Sequence, residues 1–307
     1  MFSRPWLVVL GGLGVSFLGE VNGFTTDSQA SIMTHRRACR LCKPVGGCHG
    51  AEPETDALLV GLHDATQKQP KQEEHGNGEI KRAINFSMAR EMIVGQVLTI
   101  GIACLVAATL SHTPNFGFGP YVSFDASAVK AGCLAVLPMY AFDGVLDIIK
   151  KDFRPLQDAE KAAQGICIAL FGDTFNPGVI VPLTLVLCLM TGIEEELLFR
   201  GVMQYELVER FGPIAGIGAT SIVFGLLHTF TPVYSIFALV ASCYFGWLYL
   251  YTQNLAIPIV AHFIYDLRSF LCNHWTTTKK LTQDERDAVM SWALLVGVLE
   301  KSVTLGS

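Results

Sequence analysis

The chain has 307 residues, 51% of them hydrophobic and only 16% charged. Soluble domains carry about 25% charged residues, so this composition excludes an ordinary soluble globule and points to a membrane protein. The formal net charge of −5 lies mostly in one polar stretch, and no basic patch with interleaved aromatics marks a nucleic-acid surface.

Residues 1–23 carry Arg4 and then an apolar run over 6–18, the n-region and h-region of a secretory signal. Residues 24–50 are rich in Ser, Thr and Arg and read as a transit peptide. Together the two segments resemble the bipartite leaders of proteins entering plastids of secondary origin. A plain signal peptide or a retained anchor, with an ER membrane location, is the alternative. Cys39, Cys42, Cys48 and His49 have zinc-ligand types, but the loop is short and lacks a core, so no site is expected there. The other six cysteines are scattered singly through apolar segments, as small hydrophobes rather than a disulfide framework. Residues 51–88 read as a polar flexible linker. Asn85-Phe86-Ser87 matches a glycosylation sequon, a motif common by chance.

From there on apolar stretches recur, at 92–110, 128–149, 179–199, 214–227, 232–251 and 255–272. Residues 166–171 are too short to span and read as re-entrant or interfacial, and 289–298 as a short terminal helix. The run AGIGATS at 215–221 lets neighbouring backbones approach closely. The expected fold is all-α: a polytopic helical membrane protein over 89–300, with about 6–8 transmembrane helices around a polar intramembrane cavity. Lys81, Arg82 and Arg90 precede the first span, the loop at 111–127 has no Lys or Arg, and Lys150, Lys151, Arg154 and Lys161 follow the second. Positive charge marks the non-translocated side, so the first two spans form an out-and-back hairpin.

The third span ends in TGIEEELLFRG at 191–201. An ionisable side chain in the bilayer costs about 2.5–3.5 kcal/mol on insertion scales, so such residues are functional candidates. On a helix Glu196 and Arg200 share a face and pair. Glu195 lies about 100° round and is left unspent. Glu194 reads as a solvated charge near an interface. Two histidines lie inside apolar helices: His228 ends SIVFGLLH and His262 opens HFIYD, sharing a face with Asp266. Buried separately, each group would be unsatisfied in hydrocarbon, so the three helices are expected to bring them to one wet cavity. Phe224 shares a face with His228 and reads as packing.

These residues carry a resemblance. EELLFRG at 195–201 resembles the EExxxR motif of the CPBP family, the CAAX-protease and bacteriocin-processing, Rce1-like intramembrane proteases. FGLLH at 224–228 resembles its FxxxH motif, and HFIYD at 262–266 its HxxxN or HxxxD motif. Order and spacing match over a core at 177–271. The resemblance implies an intramembrane endopeptidase acting on a membrane-associated, prenylated CaaX-type substrate, with lipids as its other partners. It implies that Glu195 and His228 activate water, while His262 and Asp266 stabilise the oxyanion and Glu196, Arg200 and Phe224 support them. Rce1-type members have Asn at the last position. An ionised Asp only accepts hydrogen bonds, so Asp266 is expected to orient His262 as the donor. No cofactor is expected. Zinc is the alternative, since two histidines and a carboxylate have the ligand types but no HExxH is present. The alternative functions are a non-catalytic membrane scaffold or regulator, for example in a plastid membrane, and a transporter.

Overall fold

A computed structural model describes residues 81–111, 118 and 122–295. The leader segments, the four zinc-type residues and residues 51–80 of the linker lie outside the described residues. The linker ends earlier than residue 88. A helix opens at Phe86, and the Asn85 side chain accepts from the Met88 N–H at 2.9 Å. Asn85, the sequon residue, is thus spent on a helix start.

Among the described residues there is helix and connecting turn, and no strand. In chain order the helices are α1 (Phe86–Ser111), α2 (Ala126–Ala135), α3 (Leu137–Ile149), α4 (Arg154–Phe171) and α5 (Pro177–Glu195). A π-helical segment (Glu196–Gln204) continues α5 into α6 (Tyr205–Phe211). Then come α7 (Pro213–Leu227), α8 (Pro232–Thr252), α9 (Ala256–Lys280) and α10 (Gln283–Leu295). The starts follow local chemistry. Asp125, Asn176 and Thr231 cap α2, α5 and α8 with side-chain oxygens. Proline sits in the first turn of α3, α4, α5, α7 and α8, where its missing N–H costs nothing. Pro138 breaks the hydrogen-bond ladder between α2 and α3.

The protein is a polytopic helical membrane protein. Among the described residues, four helices are long and apolar enough to cross a membrane: Phe86–Leu110, Ala126–Ile149, Pro177–Phe211 and Pro232–Thr252. Two of the six expected spans differ. Helix α7 is apolar but has 15 residues, and α9 runs 25 residues through polar groups to Lys280. The stretch at 166–171 is the C-terminal turn and a half of α4, packed in the core. The terminal helix begins at Gln283 rather than at 289.

Pro177–Phe211 is the central element. The π-helical segment packs against α1, α5 and α7, and α9 packs against α2 and α5. Helices α7 and α8 meet at Gly225, where a Cβ would lie 2.9 Å from the Ser235 carbonyl oxygen and from Leu239 Cβ. Within AGIGATS, Gly216 is pressed against Val208, whereas Gly218 faces open space.

One end of the bundle is tied by charges. Arg82 donates from its backbone N–H and from Nη1 to Asp173, each at 2.8 Å, and pairs with Asp287. Arg286 Nε lies 3.3 Å from the same Asp173 carboxylate. Gly172, at φ +75°, allows this: a Cβ there would meet the Arg82 carbonyl at 2.3 Å. Ser123 and Asn254 join the other end by two hydrogen bonds, at 3.0 and 2.9 Å. Arg82 and Arg286 both meet Asp173 at this end.

Asp173 lies outside the spans and makes that end pH-sensitive. Burial pushes its carboxyl upward, but the Arg82 N–H and guanidinium outweigh burial and hold it below the usual carboxylate range. A depressed folded-state value means its stabilisation is complete above the unfolded value of about 3.9 and is lost as pH falls through the lower folded one. Purified protein should therefore melt at a lower temperature below about pH 4, and Asp173→Asn should remove that part of the slope. An unchanged slope in Asp173→Asn would contradict this role.

Candidate functional site

The expected residues meet. Glu195 ends α5, His228 follows α7, and His262 and Asp266 are four apart on α9. The Glu195 carboxylate reaches both imidazoles, with Oε1 3.5 Å from His228 Nε2 and Oε2 3.8 Å from His262 Nε2. Asp266 Oδ2 is 3.5 Å from the same His262 nitrogen. The groups are packed against one another rather than spread around an open hollow: Glu195 is 4% exposed, His228 8% and His262 6%. Asp266 is the most open of the four.

Glu196 and Arg200 pair at 3.0 Å, both fully buried, as their spacing predicts. Glu196 does more than balance Arg200. Its Oε1 also accepts from His262 Nδ1 at 2.8 Å. The contact that orients the His262 ring is therefore Glu196, while Asp266 lies at the opposite nitrogen. His228 Nδ1 donates to the Phe224 carbonyl at 2.8 Å. In a neutral ring that leaves the lone pair on Nε2, facing Glu195.

Two aromatic rings stand behind the imidazoles. Phe224 stacks on His228 at 4.2 Å between centroids, and Phe245 stacks on His262 at 5.1 Å. The Arg200 guanidinium lies over both rings, 5.1 Å from Phe224 and 5.7 Å from Phe245. Its Nη2 donates to the Ser242 carbonyl and hydroxyl, both at 3.0 Å. Arg200 thus braces both histidines through their stacking partners, and Phe224 contacts the site directly as well as packing. Ser242 and Phe245 of α8 escape sequence reasoning. Their only signal is a serine inside an apolar helix with an aromatic on the same face three residues on.

Glu194 is not a solvated charge. It is 1% exposed, on a turn whose neighbours Glu195 and Glu196 are buried too. A third helix-borne histidine, His274, is also buried. It bonds the Gly172 carbonyl at 2.9 Å, beyond the site. For a metal, Glu195, Asp266 and the two Nε2 atoms are suitable donor types. Among the described residues, though, no three His, Cys, Asp or Glu are arranged to hold an ion.

Comparison with known proteins agrees with this region. Residues 177–268 match the family described as type II CAAX prenyl endopeptidase Rce1-like. The uncharacterized protein YpbD of Bacillus subtilis (strain 168) is 34% identical over 89 residues, 28% of this chain and 43% of YpbD. The chain therefore covers less than half the length of that curated relative. No solved structure matches.

Proposed function

Residues 177–268 are an Rce1-like domain, and from that premise we propose that the protein is an intramembrane endopeptidase that hydrolyses a membrane-associated peptide, of CaaX type, by carboxylate-activated water. The observation that carries the reading is the Glu195 carboxylate held 3.5 and 3.8 Å from two imidazole nitrogens. These separations are longer than a good direct hydrogen bond and suit a water lying beside both groups.

Such a water donates one hydrogen to Glu195 and the other to His228 Nε2. Its lone pair is then free to attack the scissile carbonyl carbon. As the O–C bond forms, Glu195 takes the proton as general base, and the carbonyl oxygen becomes an oxyanion. The C–N bond then breaks, and Glu195 returns the proton to the leaving amine. His262 serves as oxyanion donor through Nε2–H. Because Glu196 can only accept, Nδ1 must carry a proton too, so His262 acts as imidazolium. Three carboxylates around one imidazole support that form. Asp266 belongs to the same site but, ionised, donates nothing to the oxyanion.

The test is cleavage of a vesicle-anchored peptide by the purified, reconstituted protein. Turnover should survive a strong chelator unchanged. Loss of turnover restored by added zinc would replace water activation by Glu195 with metal activation. Absence of any cut, alongside rescue of a loss-of-function phenotype by Glu195→Gln, would favour a scaffold.

A further inference from the structure

The π-helical segment (Glu196–Gln204) ends on a residue that the mechanism does not use. Gln204 carries an amide and is nevertheless buried, at 2% exposure. Its Nε2 donates to the Gly246 carbonyl of α8 at 2.8 Å. Gly246 permits the approach. A Cβ there would lie 2.5 Å from Gln204 Oε1 and 3.3 Å from Ile217 Cγ2, so no side chain fits. Gly246 lies inside α8, and its carbonyl has two lone pairs. The amide is thus an added donor, and its bond joins two elements rather than completing one.

The bond repeats one nearer the site. Arg200 Nη2 donates to the Ser242 carbonyl at 3.0 Å. Arg200 and Gln204 are four apart, and so are Ser242 and Gly246. Together the two rungs fix how far the π-helical segment is slid along α8 and how it is rolled against it. One rung alone would leave the roll open. Both supports of the His262 ring depend on that setting. Glu196, from the π-helical segment, accepts from His262 Nδ1 at 2.8 Å. Phe245, between the two rungs on α8, stacks on the same ring at 5.1 Å. π-Helical turns are rare and mostly single, so nine residues of them need holding from outside. Relaxation to ordinary α-helical turns would carry Glu196 round relative to α8.

We propose that Gln204 is a positioning residue for the hydrolysis: its bond to Gly246 keeps the register in which Glu196 and Phe245 hold the His262 ring. Gln204 acts through those two residues and exchanges no proton. This rests on the peptidase reading.

The experiment compares Gln204→Leu, Gly246→Ala and the double variant in vesicles with an anchored peptide. Gln204→Leu keeps most of the volume and removes the donor. It should lower kcat by about 10²-fold, the cost of a misplacement on the order of 1 Å, with KM unchanged. Nitrogen NMR of His262 reports the same event without turnover. The Nδ1 resonance in Gln204→Leu should move toward its position in Glu196→Gln. Gly246→Ala should act alike by pushing the Gln204 amide away, and the double variant should be no worse than the poorer single one. Wild-type kcat and an unmoved His262 resonance in Gln204→Leu would overturn the proposal. So would a fall in kcat with the resonance unmoved, or single losses that multiply in the double variant, since either leaves Gln204 as packing alone. Absence of any cut by the wild-type protein, with the resonance still shifted in Gln204→Leu, would instead overturn the peptidase reading.

Discussion

Replacing Arg200 with methionine should destabilise the protein by about 3–5 kcal/mol, the cost of stranding one partner of a buried ion pair. Arg200 is fully buried, and its guanidinium touches Glu196, the Ser242 carbonyl and hydroxyl, and the faces of Phe224 and Phe245. Methionine fills much of the volume but leaves Glu196, also fully buried, with His262 as its remaining positive partner. Lysine is no substitute. A single ammonium cannot reach Glu196 and Ser242 together, nor lie flat across two rings. For a membrane domain of this size the melting temperature should fall by about 10 °C. Removing both charges, as Glu196→Gln with Arg200→Met, should recover part of the loss, because no uncompensated charge remains. Thermal melting in detergent measures all three variants. A single variant that melts with the wild type would show that the pair braces nothing.

Turnover should depend on Glu195 and His228 as a unit. Glu195→Gln preserves shape and removes the base. His228→Leu removes the second acceptor for the water. Each should lower kcat by about 10²–10⁴-fold, the range for a positioned general base. The double variant should be little worse than the poorer single one, since both residues act on the same water. Losses that multiply would mean independent roles, with His228 acting on some other atom. Melting temperatures near wild type in all three would separate chemistry from folding.

The meeting of Glu195, His228, His262 and Asp266 was legible in the chain because hydrocarbon leaves so few options. A polar group in an apolar helix must find company or water. Three such helices in sequence imply one shared place. The Glu196–Arg200 pair was legible for the same reason, with spacing added. The surroundings were harder to read. Glu194 gives the wrong impression because an acid next to two others suggests a wet helix end. In the structure that helix runs on for 35 residues, from Pro177 to Phe211, and Glu194 sits in its buried middle rather than at an end. The second bond of Glu196, to His262, depends on the side-to-side setting of α5 and α9, which periodicity does not encode. Ser242 and Phe245 matter only because Arg200 reaches across to α8. Helix α9 misleads in the opposite direction: its apolar half looks like a span, while His274 and Lys280 belong to the same continuous helix.

The most direct measurement is mass spectrometry of one anchored peptide incubated in parallel vesicles with wild-type and Glu195→Gln protein of matched melting temperature. Carboxylate-primed hydrolysis predicts a single cut bond with wild type and an intact, still-bound peptide with Glu195→Gln. The same cut at the same rate in both would contradict it.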